Sequence, residues 1–116
     1  MALHYAEMCA DAEPLLRECL SIRQQQEADV WTTFDTQSLL GHALLGQKKY
    51  AAAETLLLRG YQGLKKKSVT EPGTKYRAGP TRQALVEAVE RLVQLYDDWG
   101  KPEMASRWRK ELEEAK

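Results

Sequence analysis

The chain has 116 residues, which is enough for one domain but not comfortably for two. Hydrophobic residues make up 43% of it and charged residues 29%, a balance that favours a packed core over disorder. The 17 basic and 17 acidic residues leave no net charge, which argues against a protein that gathers nucleic acid or an anionic membrane surface by electrostatic attraction.

The compartment can also be predicted from simple features of the sequence. The longest uncharged stretch, Thr36 to Gln47, falls short of the roughly 20 apolar residues that a membrane span needs. The first residues lack the basic and then apolar segments of a secretory leader. Cys9 and Cys19 are ten residues apart along one helical stretch, nearly two turns past each other, which is too far to form a disulfide. We therefore expect a cytoplasmic protein with reduced thiols.

Apolar residues at helical spacing predict three helices in the first part of the chain. The first covers about 11–26, with Asp11 as its N-cap and Pro14 in its first turn. The second begins near residue 29 and is apolar around most of its circumference, which predicts a central element buried on more than one side. The third covers about 51–66, with apolar residues three and four positions apart.

A stretch rich in proline and glycine separates these helices from the rest. Residues 67–80 contain two Gly/Pro pairs and no periodicity, which predicts an exposed loop. A fourth helix is predicted from about residue 81 until Gly100, which acts as its C-cap, and Pro102 opens a fifth. Since no stretch shows the alternation of a strand, we predict an all-α fold that forms a single domain over residues 1–116.

The sequence also contains an internal repeat. The segment Ala12–Arg17 aligns with Ala53–Leu58 at an offset of 41 residues. A weaker copy aligns Ala105 with Ala53 at an offset of 52, and the excess is about the size of the predicted loop. A small alanine at the same place in each copy allows a partner helix to approach closely. The repeat predicts a partial first unit at about 11–26, a second at about 29–66 and a third at about 81–116.

The middle unit resembles a known family. It contains, in the order typical of the tetratricopeptide repeat, Leu40-Gly41, Leu44, Tyr50, Ala53 and Leu57. The long period is similar to that of the kinesin-light-chain-like subclass. The resemblance implies antiparallel helical hairpins stacked as a short α-solenoid, which acts as a non-catalytic scaffold or regulatory module for protein–protein interaction. In bacteria, such arrays often form the carboxyl-terminal parts of protein kinases and signalling ATPases.

The resemblance further implies that the first helix of each pair lines a concave groove, which takes a peptide or a partner helix. The outer face of the fourth helix carries more carboxylates than basic groups, so the expected ligand is a basic or amphipathic segment. Related proteins often hold the peptide backbone through asparagine amides, but this chain contains no asparagine. The predicted partner-binding residues are Asp35, Ser38, His42, Leu45, Glu87, Glu90, Arg91, Gln94 and Asp98.

Self-association is an alternative function. The partial first unit has no complete first helix, so its apolar residues have no predicted partner within the chain. A second copy of the chain can cover such a face, which predicts a homodimer. The residues expected at this interface are Leu15, Leu16 and Cys19.

A small-molecule sensor is a second alternative, with a pocket between the second and fourth helices that is lined by Trp31, His42 and Tyr96.

No motif predicts catalysis, a cofactor or a metal site. The segment 41–48 approaches a phosphate-binding loop, but Gln47 stands in the lysine position and no strand precedes it. The histidines and cysteines lack the spacing of metal ligands.

Overall fold

The apolar periodicity of the sequence appears as helices in the computed structural model, which describes residues 2–27, 31–68 and 82–115. Over these residues the chain forms helices and no strand, so the predicted all-α class is confirmed. Each helix contacts the next one along the chain, and α2 also contacts α4, so the hairpins stack side by side. The helices are α1 (Ala2–Glu27), α2 (Trp31–Gly46), α3 (Tyr50–Ser68), α4 (Arg82–Asp98) and α5 (Pro102–Ala115).

Helix α1 is longer than predicted, because it begins at Ala2 instead of Asp11. Pro14 therefore lies inside the helix, where it lacks the N–H that would bond the carbonyl of Ala10. The residues before Asp11 include no glycine or proline, so their helical propensity outweighs the N-cap signal. Cys9 is also buried, which gives this extra part of α1 a contact with the fold.

The apolar residues of α1 are only partly buried, as expected for a first unit without a complete first helix. Leu20 is buried, whereas Leu15 is 69% exposed and Ile22 is 48% exposed. The reason is that α1 contacts α2 and no other described helix, so only one side of it is covered. The predicted loop at 67–80 also begins later than expected, since α3 continues to Ser68, and the remainder of that loop lies outside the described residues.

Helix α2 ends in a Schellman turn whose left-handed residue is a lysine. Lys48 has a φ of +64°, a conformation that costs a residue with a Cβ atom about 1 kcal/mol or more. Its N–H donates to the Leu45 carbonyl at 2.9 Å, and the Lys49 N–H donates to the Leu44 carbonyl at 3.0 Å. The Lys49 carbonyl in turn accepts the N–H of Ala53 at 2.9 Å, which starts α3.

The turn between α4 and α5 has the same geometry. Gly100 occupies the left-handed position with a φ of +76°, as its predicted role of C-cap requires. The Lys101 carbonyl accepts the N–H of Ala105 at 3.1 Å, as the Lys49 carbonyl accepts that of Ala53. Both alanines are fully buried. The offset of 52 residues seen in the sequence thus relates equivalent positions of two equivalent hairpins.

A glutamate beside the repeated alanine connects each hairpin to the next. Glu13 of α1 accepts hydrogen bonds from Gln47 Nε2 at 2.8 Å and from Lys49 Nζ at 3.3 Å, both at the end of α2. Its counterpart Glu54 of α3 accepts a hydrogen bond from the hydroxyl of Tyr96 at 2.8 Å, near the end of α4. The Ala-Glu pair of the repeat therefore has the same role in both copies, in which the glutamate bonds to the end of the following helix.

Helices α2 and α3 approach each other closely at glycines. A Cβ atom on Gly41 would lie 2.7 Å from Leu57 Cγ, and one on Gly60 would lie 2.8 Å from the Phe34 carbonyl oxygen. At Gly63 it would overlap the Phe34 ring. Since α2 contacts α1, α3 and α4, its predicted central position is confirmed. Within the described residues, none of the helices combines the length and the apolar character needed to cross a membrane.

Replacing Lys48 with glycine is expected to raise the free energy of unfolding by about 0.5–1 kcal/mol, because glycine adopts a positive φ without a Cβ clash. The matched control is Gly100→Ala, where an added Cβ would have no atom within 4 Å, so its effect reports the backbone conformation alone. We expect the free energy of unfolding of this control to fall by about 1 kcal/mol. Urea denaturation followed by circular dichroism measures both, and a Lys48→Gly protein less stable than the parent would contradict the equivalence of the turns.

The stability of the chain should also depend on pH through Glu13. Hydrogen bonds from Gln47 and then Arg17 and Lys49 hold the pKa of Glu13 at about 2, below its ordinary value of 4.5. Because the folded-state pKa lies below the unfolded one, the stabilisation is complete above about pH 4.5 and is lost as the pH falls towards 2. The stability difference between the parent and Glu13→Gln should therefore shrink over that interval.

The pH series is measured by urea denaturation at each pH, with Glu113→Gln as the control at an exposed position of α5. That control should change the stability at neutral pH by less than about 0.5 kcal/mol. A difference between the parent and Glu13→Gln that stays constant from pH 5 to 2 would show that the carboxylate has no such role.

Candidate functional site

A cleft lies between α2 and α4, the first helices of the two hairpins. Its volume is about 260 Å³, and it is lined by His42 of α2 and by Glu87, Glu90, Arg91 and Gln94 of α4. The four residues of α4 fall on one face, because positions three and four apart are neighbours on a helix surface. The stacking of equivalent hairpins places this face beside α2.

Arg91 lies at the centre of the cleft and joins its two walls. Its side chain is only 14% exposed, and Nη1 donates to Ser38 Oγ at 3.0 Å. The same nitrogen lies 4.0 Å from Asp35 Oδ1, and Nη2 lies 3.7 Å from Glu87 Oε2. The guanidinium therefore satisfies the buried hydroxyl of Ser38 and neutralises part of the surrounding negative charge.

Burial and charge set the protonation states in the cleft. Burial raises the pKa of Asp35, an effect that the charge of Arg91 opposes and that of Glu87 reinforces. Burial lowers the pKa of His42, and Arg91 lowers it further, so this imidazole is neutral at neutral pH. Arg23 of α1 also lowers the pKa of Asp35, so the three carboxylates of Asp35, Glu87 and Glu90 stand against two guanidinium groups, and the cleft keeps a small excess of negative charge.

Most of the predicted partner-binding residues meet at this cleft. Ser38 is completely buried beneath Arg91, so it supports the arginine and does not itself face a partner. The residues that line the cleft or contact Arg91 are Asp35, Ser38, His42, Glu87, Glu90, Arg91 and Gln94.

Two predicted residues lie elsewhere. The prediction for Leu45 is wrong, because this side chain is 3% exposed and belongs to the hydrophobic core. Helix α2 has neighbours on several sides, so a residue at the margin of its outer face is covered. Asp98 is exposed on the last turn of α4 but does not line the cleft.

The pocket predicted for a small-molecule sensor does not form from its expected residues. Tyr96 is buried, and its hydroxyl donates to Glu54 instead of pointing into the cleft. Burial first, and then the Glu54 carboxylate, raise the pKa of Tyr96. Trp31 packs against the core, so among the three residues only His42 lines the cleft.

Sequence reasoning missed a second hollow of about 300 Å³ between α3, α4 and α5. The hydroxyl of Tyr61 donates to Glu111 Oε2 at 3.4 Å, and Lys65 Nζ lies 4.0 Å from the same oxygen. Lys65 offsets one of the two carboxylates in this lining, those of Glu111 and Glu114, so the hollow also carries an excess of negative charge. No sequence signal predicts it, because its lining comes from three helices distant in the chain: Tyr61, Lys65, Leu85, Val89, Glu111, Glu114 and Ala115.

Comparison with known proteins gives no relative. No protein-family model matches the chain, and no curated protein and no solved structure is significantly similar to it. Over the described residues, no group of histidine, cysteine, aspartate and glutamate side chains could hold a metal ion. The function therefore has to be argued from the chemistry of the cleft.

The link between α2 and α4 can be tested at Arg91. Arg91→Met keeps the aliphatic stem but removes the hydrogen bond to Ser38 and the positive charge that lies near both Asp35 and Glu87. We expect the free energy of unfolding to fall by about 1–3 kcal/mol. Arg59→Met makes the same change at an exposed position of α3 and should cost less than about 0.5 kcal/mol. Urea denaturation measures both, and equal effects of the two changes would mean that Arg91 does not connect the hairpins.

Proposed function

We propose that this chain is a non-catalytic protein–protein interaction module of the tetratricopeptide type, and that its α2/α4 cleft binds a basic or amphipathic segment of a partner protein. The observation that carries the proposal is the convergence of carboxylates from two helices around one largely buried guanidinium. Such a site offers fixed negative charge to a cation without a reactive group of its own.

The exposed carboxylates of the cleft suit a lysine or arginine side chain. Glu87 is 45% exposed and Glu90 is more so, whereas Asp35 is partly covered and held by Arg91. An incoming cation can therefore reach Glu87 and Glu90 without displacing Arg91 from Ser38. Charge-assisted hydrogen bonds to these carboxylates would be stronger than bonds between neutral groups.

Neutral polar groups beside the carboxylates can hold a peptide backbone. The exposed amide of Gln94 offers a donor and an acceptor, and neutral His42, whose Nδ1 is buried, lies beside it in the cleft. They replace the asparagine amides that the family uses and this chain lacks. The volume of about 260 Å³ lies below the roughly 300–1,000 Å³ of small-molecule pockets. This size favours a peptide side chain over a free ligand.

The tetratricopeptide assignment is supported by the equivalent turns of the two hairpins and by the fully buried alanines Ala53 and Ala105. The proposal includes a regulatory role in bacterial signalling, which the family resemblance implies. It also places the protein in the reducing cytoplasm, a location supported by Cys9 and Cys19, both of which are free thiols.

Binding is tested with short fluorescent peptides of basic, amphipathic basic, neutral and acidic sequence, by fluorescence polarisation. The basic peptides should bind, and Glu90→Lys should weaken their binding by about tenfold or more because it places a like charge in the cleft. Asp98→Lys is the matched control, since it makes the same reversal on the same helix outside the cleft. It should change the dissociation constant by less than about twofold at physiological salt, because such charges are screened beyond ~8 Å.

The comparison between the two reversals decides the outcome. Equal weakening by Glu90→Lys and Asp98→Lys would show a diffuse attraction by the acidic surface and not a site. Preference for acidic or neutral peptides, or no binding to any of them, would overturn the proposal.

A further inference from the structure

Helix α1 has an outer face equivalent to a face that is covered in α3. In α3, the surface at Gly60 and Gly63 is covered by α2, whose Phe34 contacts both glycines. At the repeat offset of 41, the equivalent residues of α1 are Cys19 and Ile22. Helix α1 contacts α2 with its other side and no further described helix, so this helix-binding face is uncovered in the described structure.

The uncovered face carries the residue spacing of a coiled-coil seam. Ala12, Leu15, Cys19, Ile22 and Gln26 follow one another at intervals of three and four residues along α1, the spacing of a and d positions in a heptad repeat. Leu15 and Ile22, at the d positions, are the exposed large hydrophobic side chains of the described structure. The small residues Ala12 and Cys19, at a positions, allow a second helix to come close.

We propose that two copies of this chain pair through this face, with their α1 helices parallel and in register. Charge complementarity favours a second copy of α1 as the partner and favours the parallel direction of the two helices. In a parallel pair, each g residue lies beside the e residue five positions later on the other helix. Here the g residue is Glu18 and the e residue is Arg23, so each Glu18 meets the opposite charge of the second copy's Arg23.

An antiparallel pair would lack this complementarity. It sets the g side of one helix against the g side of the other, and this side carries the acidic residues Asp11 and Glu18. Arg23 would then face the apolar Leu16 or the second Arg23. In its own chain Arg23 Nη1 donates to Thr32 Oγ1 at 3.1 Å and its charge acts on Asp35, both on α2, while its side chain also lines a hollow beside Cys19 and Ile22.

A helix of the α2 type does not fit this face as well as a second α1 does. Phe34 of α2 fills the space that the missing side chain of Gly63 leaves, and Ile22 occupies that space in α1. A hollow of about 280 Å³, lined by Cys19, Ile22, Arg23 and Gln26, adjoins the seam. It leaves room for the aliphatic side chains of a facing α1.

In this arrangement Cys19 lies beside Cys19 of the second copy, which gives a specific test. Addition of diamide, a thiol oxidant, should produce a disulfide-linked dimer on a non-reducing gel, because facing a positions bring the thiols within bonding reach. Cys9→Ser should leave this product intact, since Cys9 is buried on another side of α1, and Cys19→Ser should abolish it. A cross-link that persists without Cys19 would overturn the proposal.

Sedimentation equilibrium over a concentration series tests the interface without oxidation. The parent protein should form dimers, and Leu15→Asp should raise the dissociation constant by about a hundredfold or more. Circular dichroism should show an unchanged fold for this variant, because Leu15 is exposed in the monomer. A parent that stays monomeric at high concentration, or a dimer that Leu15→Asp does not weaken, would contradict the proposal.

Charge exchange tests the parallel direction. Glu18→Arg should weaken the dimer by about tenfold, and the double change Glu18→Arg with Arg23→Glu should restore most of the affinity. A dimer strengthened by Glu18→Arg alone would indicate the antiparallel direction and contradict the proposal. Peptide binding by the cleft should be unchanged in Leu15→Asp, so the failure of one proposal does not affect the other.

Discussion

The arrangement of the helices depends on one backbone feature that occurs twice, a left-handed residue followed by a capping lysine and a fully buried alanine. Lys48 and Gly100 reverse the chain in the same way, and Ala53 and Ala105 then lie at the same position in the first turn of the second helix. Because the turns of the two hairpins have the same geometry, their first helices, α2 and α4, lie on the same side of the stack. The contact between α2 and α4 follows from this equivalence.

The cleft is a consequence of that contact, and Arg91 determines its character. Asp35 of α2 and the glutamates of α4 would repel each other if the two helices met without a cation between them. Arg91 bonds to the buried Ser38 and approaches Asp35 and Glu87, so it holds the walls together while leaving negative charge at the rim. The same residue thus stabilises the stack and sets the charge that a partner would meet.

Local patterns in the sequence were sufficient to predict the helices and the cap at Gly100, because each depends on spacing within one helix, whereas the two helices that line the cleft were predicted from the family resemblance. The predicted start of α1 at about residue 11 was wrong, because the N-cap signal of Asp11 competes with a helix-forming segment before it. The prediction that Leu45 faces a partner was wrong, because its burial depends on which helices pack around α2. The central role of Arg91 depends on a contact to Ser38 that spans 53 positions of the chain, and no local pattern contains it.

The central claim is that α2 and α4 form one binding surface for a basic segment. The most direct measurement is a titration of the isotopically labelled protein with a basic peptide, followed by amide chemical shifts in NMR spectra. The account predicts that the largest changes fall together on residues 35–42 of α2 and 87–94 of α4. Changes confined to α1 or α5, or to only one of the two cleft helices, would contradict it.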